Sequence, residues 1–416
     1  VEGEVASSDL IYDWNRVAGA FDYGGVAVEL DDETLRDGLQ NPSVLDPPIE
    51  RKLELLHLMA GLGIQSADIG LPGAGPRARD AALALAREIA SQGLPVAPNC
   101  AARTVRADIQ PIVDIAQATG LRMEVGAFIG SSPIRRFAEG WEPDMMLRAT
   151  EDAVSFAVEE GLDVMYVTED TIRSRPETLR ELYATAIGCG ARRICLADTV
   201  GHATPDGVRA LVRFAREVVD TTGEHVKLDW HGHRDRGLGL ANALAAIEEG
   251  VERVHGTALG IGERVGNVEM DLLLVNLKLL GVHDRDLTRL PEYCALVADM
   301  CGVEIPHNYP VVGEDAFRTG TGVHAAAIIK ALRKGDPWLV DRVYSGVPAS
   351  EFGLEQRIEI SPVSGLSNVR YWLESHGHDP GDDALAAALF ELAKRSDHTL
   401  TDAEILSEID RVQSVP

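Results

Sequence analysis

The sequence predicts an α/β protein, a (β/α)8 TIM barrel followed by a small, mostly helical C-terminal region. Three observations carry that expectation. From about Gly25 to about Leu280, short β-branched runs alternate with longer amphipathic stretches, the pattern of repeated strand–helix units. Eight such units fill roughly 250 residues, the usual size of a barrel. The residues with chemical reach fall just after the strand runs, the rim where barrel enzymes build their sites. A doubly wound open sheet, the main rival, would show fewer strands and an early Gly-rich phosphate loop.

The strands are expected at Val26–Leu30, Ser66–Ile69, Leu94–Ala97, Met123–Phe128, Val164–Thr168, Arg193–Leu196, Lys227–Trp230 and Arg253–Thr257. Between them, Ile49–Leu62, Arg77–Ala90, Met145–Glu160, Pro176–Ile187, Pro205–Val219 and Leu238–Glu249 repeat apolar residues at helical spacing. Thr204-Pro205 and Arg175-Pro176-Glu177 carry the proline expected at a first helical position. After about Val282 the pattern changes. A helical stretch, Leu290–Cys301, precedes a linker, Ile305-Pro-His-Asn-Tyr-Pro310. A Gly-rich loop around Gly320 and Gly322 then opens a helix reaching Lys330, and two further helices are expected at Asp382–Arg395 and Thr401–Val412. The resulting division is an N-terminal arm (1–24), a catalytic barrel (25–285), a linker with a first C-terminal subdomain (286–361) and a second helical subdomain (362–416). Leu10, Ile11, Tyr12, Trp14 and Phe21 suit an arm that packs on the body or on a second subunit.

The formal charge of -27 excludes nucleic acid and anionic membranes as general partners, because phosphates would be repelled. Five cysteines without paired metal-type spacing read as reduced thiols, which fits a cytoplasmic protein. The N-terminus carries acids where a signal peptide would carry a basic region. No apolar run approaches the roughly 18 residues that span a bilayer.

The chemistry concentrates after strands one, seven and eight. Asp37 follows the first, His231 and His233 end the seventh, and Asn267 follows the eighth. Two histidines at i and i+2 face the same side of an extended segment. With Asp37 and Asn267 they form a candidate site for Mg2+, Mn2+ or a catalytic Zn2+, the mixed nitrogen and oxygen set that leaves positions open. A 2-oxo acid chelates such a cation through its carboxylate and keto oxygen. Arg36 is placed to hydrogen-bond an oxygen that gains negative charge. Glu169, after the fifth strand, is a candidate to orient a base or hold a proton. Arg36, Asp68, Arg103 and Thr199 are the expected substrate contacts on the rim. His324, presented by Gly320-Thr-Gly322, is the candidate general base outside the barrel, and Tyr344 a candidate phenol donor. His202 and His255 read as structural. Gly266 is expected to turn the backbone so that Asn267 reaches the cation.

Leu35-Arg36-Asp37-Gly38-x-Gln40, His231-x-His233-x-Asp235, Gly260-x-Gly262-Glu263-Arg264-x-Gly266-Asn267 and Gly322-Val-His324 together resemble the 2-isopropylmalate synthase and homocitrate synthase family. Asp198-Thr199-Val200-Gly201-x-x-Thr204-Pro205 and Gly353-x-Glu355-Gln356-Arg357-Ile358 extend the resemblance to nearly the whole chain. It implies condensation of acetyl-CoA, or another acyl-CoA, with a 2-oxo acid, followed by thioester hydrolysis. It also implies that Asp37, His231, His233 and Asn267 hold the metal, that Arg36 and Glu169 act at the reacting centre, and that Thr199 contacts the 2-oxo acid. His324, assisted by Glu169, would be the base and Tyr344 its companion, both supplied by the partner subunit of a homodimer. No regulatory domain is expected.

Three positions depart from that pattern. Gly126-Ala-Phe-Ile stands where the fourth strand commonly carries a histidine, Arg234 stands where asparagine is usual, and Ala326-Ala327 follow His324. The runner-up is a 3-hydroxy-3-methylglutaryl-CoA lyase, whose opening Arg-Asp-Gly-Leu-Gln-Asn run is shared. That family places a cysteine after the eighth strand, and Gly256–Asn267 has none. A third reading is a non-catalytic relative that keeps the fold and the metal.

Overall fold

The computed structural model describes residues 10–414. Eight parallel strands close into a barrel in sequence order: β1 (Glu29–Asp32), β2 (Ser66–Asp68), β3 (Ala97–Arg103), β4 (Glu124–Gly130), β5 (Asp163–Glu169), β6 (Arg193–Asp198), β7 (Lys227–Gly232) and β8 (Arg253–Gly256). β1 pairs with β8, Glu29 opposite Arg253 and Asp32 opposite Gly256, which completes the ring and removes both sheet edges.

Helices connect the strands, and their starts follow the prolines. Pro76, Pro133, Pro143, Pro176 and Pro205 each occupy a first helical position, where the missing N–H is no loss. In Pro205–Thr222 the buried residues Val208, Val212, Ala215 and Val219 recur at helical spacing and lie against the body, while Thr204 caps the first turn by accepting from the Gly207 N–H. Three helices in this half were not anticipated, the short Pro133–Glu139 among them. Arg106–Thr119 starts behind Val105, which has no capping side chain, and contains Pro111. Met270–Leu279 is apolar almost all round, so it shows little amphipathic signal. β1 begins three residues later than expected. β3, expected at Leu94–Ala97, starts only at Ala97 and reaches Arg103 through Pro-Asn-Cys-Ala-Ala, a segment with little intrinsic strand preference that β4 holds by pairing.

The barrel floor is ionic rather than aliphatic. Asp229, fully buried on β7, accepts from Arg193 Nη1 at 2.6 Å, Arg253 Nε at 2.7 Å and His255 Nε2 at 3.1 Å. Arg253 also reaches Glu124 at 2.5 Å, and Arg193 reaches Glu29 at 2.8 Å. Paired in this way, the buried charges satisfy one another and fix the registers of strands on opposite sides of the barrel.

The chain divides into two compact units. The first holds the barrel, to Arg285, with Leu296–Val303; the second holds Asp286–Ala295 and the chain from Glu304 onward. The helix Leu290–Cys301 is shared between them. The second unit has a two-stranded parallel sheet, Arg318–Thr319 with Arg357–Ile358. Its helices include Gly322–Lys334, Leu366–Ser375, Asp383–Arg395 and Asp402–Gln413; the second was not anticipated, and the last two match the expected Asp382–Arg395 and Thr401–Val412 to within one residue at each end. Val369, Trp372, Leu373, Leu385, Leu389, Ile405 and Ile409 form a core of their own. Thr401 and Glu404 form a reciprocal capping box.

In the N-terminal arm, residues 1–9 lie outside the described residues. Tyr12 and Trp14 are exposed and pack edge to face on each other, and Tyr23 ties the segment down by donating to Glu248 at 2.7 Å. No helix among the described residues is long and apolar enough to cross a membrane.

Candidate active site at the barrel mouth

A cavity of about 290 Å3 opens among the C-terminal ends of the strands. Arg36, Asp37, Asp68, Glu169, Thr199, His231 and His233, expected from the sequence, all line it. The geometry follows from the loops. Glu33 through Asp37 turn sharply after β1, with Arg36 N and Gly38 N both donating to Glu33 O. This sends Arg36 across the mouth, where its Nε donates to Asp68 at 2.7 Å, its Nη1 to Asp37 at 2.9 Å, and its Nη2 to Glu33. One guanidinium thus bridges three buried carboxyl groups and fixes their orientation.

Asp37, His231 and His233 offer ligand atoms that lie within 4.8 Å of one another. Both imidazole Nε2 atoms are 3.8 Å from Asp37 Oδ2, too far for hydrogen bonds and suited to sharing a cation. Burial, reinforced by the neighbouring His231, lowers His233 to about 4, so its ring is neutral and able to ligate. Burial works against the charge on Asp37, but Arg36 and the two histidines hold its carboxyl below the usual range.

Asn267 reaches the same place by a strained route. A single bridge pairs it with His233. Gly266 has φ +98°, and a Cβ there would fall 1.8 Å from Gly260 O. Gly262 has φ +150°, and a Cβ would strike Asn267 Nδ2 at 2.2 Å and approach Asp37 Oδ1 at 2.9 Å. Glycine is therefore required at both points for the loop to close on the ligand set. Asn267 Nδ2 donates to Asp37 Oδ1 at 2.9 Å, while its Oδ1 is buried with no hydrogen-bond partner. An oxygen left bare in such company is what a hard cation would satisfy, so the donors present fit a divalent metal.

Several contributors were missed in the sequence. Glu33 Oε1 accepts from His231 Nδ1 at 3.1 Å and His255 Nδ1 at 2.6 Å, while Oε2 meets Arg36. It fixes which nitrogen His231 presents to Asp37. Its place three residues before Arg36 on a tight turn was the available signal. His255, read as structural, lines the cavity and joins Glu33 to Asp229; burial opposes its charge, but the surrounding carboxylates Asp31, Asp229 and Glu33 raise it to about 10. Arg264 holds φ +57°, with its guanidinium on Asp235 at 2.8 Å and on Thr199 O at 2.7 Å.

Glu169 is half-exposed to the cavity from the end of β5, and burial raises its carboxyl above the ordinary glutamate range against the pull of Arg135 and Arg36. Thr199 accepts from the Asp170 N–H at 2.8 Å. Burial, aided by the nearby acids Glu33 and Asp31, raises Asp68 to about 7 despite Arg36.

Two expected features fall elsewhere. Arg103 is not brought into the cavity; it is largely exposed and clamped on Asp108, with Nε at 2.6 Å and Nη2 at 2.9 Å. A carboxylate five residues on captures it locally. Arg234, one of the three departures from the family pattern, does not line the cavity; it stitches the loop after β8, donating to Val265 O at 2.9 Å and Glu269 at 2.5 Å. In the second unit, His324 and Tyr344 stack on each other with centroids 4.1 Å apart, and both are exposed.

Comparison with known proteins agrees with this geometry. The chain is 34% identical to the homocitrate synthase AksA of Methanopyrus kandleri over 385 residues, covering 91% of each chain. It is 31% identical to a 2-isopropylmalate synthase of Sulfolobus acidocaldarius, covering 89% of this chain and 92% of that protein. Among solved structures, the hydroxymethylglutaryl-CoA lyase of Pseudomonas aeruginosa superimposes with a TM-score of 0.55 at 20% identity, over 66% of this chain and 93% of the lyase; it shares the barrel fold. Residues 27–297, which carry the whole of this site, match the HMGL-like family, and the chain belongs to it.

Proposed function

We propose that this protein condenses an acyl-CoA, acetyl-CoA in the simplest case, with a 2-oxo acid and hydrolyses the resulting thioester, giving a 2-hydroxy dicarboxylic acid and free CoA. The observation that carries the reading is the convergence of Arg36, Glu169, Asp37, His231 and His233 on one cavity, with Asn267 hydrogen-bonded to Asp37 behind it. Relatives over nine-tenths of the chain bear the names of homocitrate and 2-isopropylmalate synthases, and a third, 32% identical, that of a putative (R)-citramalate synthase. They are named for different hydroxy-acid products.

A divalent cation held by the four ligands would supply a Lewis acid for the keto oxygen and carboxylate of the 2-oxo acid. Arg36 donates toward the keto oxygen as it gains charge, and its three carboxylate partners keep the guanidinium from moving. A base removes a proton from the acyl methyl group. The methyl carbon then bonds to the keto carbon, whose oxygen takes up a proton to become the hydroxyl. Water finally cleaves the C–S bond, and the thiol of CoA leaves. Glu169 is suited to move a proton inside the cavity, because burial keeps its affinity for protons high. The same reading assigns His324 and Tyr344 to a base pair supplied by a second copy of the chain. A second cavity, about 400 Å3, shares Arg36, Gln40 and Leu71 with the first and adds Lys52, Arg77 and an apolar wall, features that suit a pantetheine arm ending in phosphates.

Two expected results follow from this assignment. Glu33→Gln removes the charge that orients His231, so Mn2+ affinity by titration calorimetry should fall about 10–100-fold with the fold retained. An unchanged affinity would remove Glu33 from the site. A base must be ionised to act, so kcat/KM should fall as pH drops through a Glu169 pKa above the ordinary value of about 4.3. In Glu169→Gln that limb should vanish along with most of the rate; a limb that persists would assign it to another group.

The lyase reading is the weaker one. No cysteine lies in Gly256–Asn267, and Cys195, which does line the cavity, is fully buried, a setting that keeps its thiol protonated. The reading is tested by coupling CoA release from acetyl-CoA to added 2-oxo acids.

A further inference from the structure

We propose that the 2-oxo acid taken by this site is monocarboxylic, with an apolar side chain that lies against the inner faces of β3 to β6. This rests on the condensation reading and names its substrate class. It runs against the name of the homocitrate synthase relative, since homocitrate formation takes a dicarboxylic 2-oxo acid.

The cavity has two unlike sides. One carries Arg36, Asp37, the two histidines and the acids around them. The other is built from Ala101, Gly126, Phe128, Met165, Val167 and Cys195. The strand registers make these six a continuous patch. Ala101 lies opposite Gly126 and Gly126 opposite Met165, forming one row; Phe128 lies opposite Val167 and Val167 opposite Cys195, forming the next. Residues 126 and 128, like 165 and 167, are two apart on their strands and so face the same side. The patch is therefore two layers deep without an ionised group, since the buried Cys195 thiol holds its proton.

A second carboxylate would find no uncommitted counter-charge here: Arg253, whose Nη2 touches Met165 Sδ at 3.1 Å, is already paired with Asp229 and Glu124. Arg36 is engaged by Glu33, Asp37 and Asp68, and Arg264 by Asp235 and Thr199 O. Glu33, Asp68, Glu169 and Glu263 also line the cavity and would repel it. Burying an unpaired carboxylate against the apolar patch is strongly unfavourable.

Gly126 sets the room available. A Cβ at this position would lie 3.1 Å from Met165 Cε, so the missing side chain leaves space beside a thioether whose sulfur accepts from Arg253 Nη2 at 3.1 Å. Each methylene buried there should improve kcat/KM by about fourfold.

The test uses the full chain with Mn2+. CoA release from acetyl-CoA is measured with pyruvate, 2-oxobutanoate, 3-methyl-2-oxobutanoate and 4-methyl-2-oxopentanoate, and with oxaloacetate and 2-oxoglutarate. Binding of the same acids is measured by calorimetry. The expected order rises with apolar length, and both dicarboxylic acids fall at least about 100-fold below the best branched acid. Tighter binding or faster turnover of either dicarboxylic acid would overturn the proposal. If no acid supports CoA release while binding keeps the stated order, the condensation reading fails and the side-chain assignment stands. Gly126→Val should lower the ratio of kcat/KM for 4-methyl-2-oxopentanoate to that for pyruvate by at least about tenfold, a ratio independent of the fraction folded. An unchanged ratio would also overturn it.

Discussion

Replacing Arg36 by Met is expected to lower kcat by about 10²–10³, the effect of losing one preorganised donor to a developing oxyanion. The loss should exceed that of any other single side chain outside the metal set, because Arg36 has two tasks. It faces the reacting oxygen, and it holds Glu33, Asp37 and Asp68 together in a space where all three are buried. Without it the carboxylates repel one another and take up protons, so cation affinity should fall in the same variant. Leaving buried charges uncompensated also destabilises by about 3–5 kcal/mol, which denaturant melts would show. Arg36→Lys separates the two tasks. Lysine keeps one positive charge but cannot span three carboxylates in a plane. It should recover much of the stability and little of the rate. Arg36→Lys with the parent kcat would contradict the role given to the guanidinium.

Loss of a ligand is the second large effect. Asp37→Ala and His233→Ala should each abolish measurable Mn2+ binding in the micromolar range and reduce turnover by about 10³ or more, since Lewis-acid stabilisation contributes several kcal/mol. The two variants should differ in fold stability. Asp37→Ala leaves Arg36 with two partners in place of three, whereas His233→Ala removes a ring that is neutral and makes no hydrogen bond through Nδ1. His233→Ala should therefore be the more stable of the pair by thermal melting. Retained metal binding in either would displace that residue from the ligand set.

Much of this site is legible in the sequence because its chemistry sits at strand ends, where spacing alone places side chains. His231 and His233 at i and i+2 on β7 converge on Asp37 whatever the details of the loops. What spacing cannot show is competition between partners. Arg103 ends β3 as a rim residue should, yet Asp108 lies five residues on and takes its guanidinium. Arg234 occupies an unusual place in the His-x-His motif, and its length lets it reach the loop after β8 instead of the cavity. Glu33 escaped notice because its importance is three-dimensional: it touches Arg36 of the loop after β1, His231 of β7 and His255 of β8 at once. The fold shows the same division. The eight strands were visible as runs, but β3 through Pro98-Asn99-Cys100 and the uncapped helix Arg106–Thr119 owe their form to neighbours more than to local preference.

The central claim is that one cavity joins an acyl-CoA to a 2-oxo acid at a bound cation. The most direct measurement follows CoA thiol release from acetyl-CoA with and without a 2-oxo acid, and before and after treatment with a chelator. The account predicts release that requires the 2-oxo acid, is lost with chelator and returns on adding Mg2+ or Mn2+. Chelator-insensitive release, or formation of acetoacetate from a 3-hydroxy-acyl-CoA with no 2-oxo acid present, would contradict it.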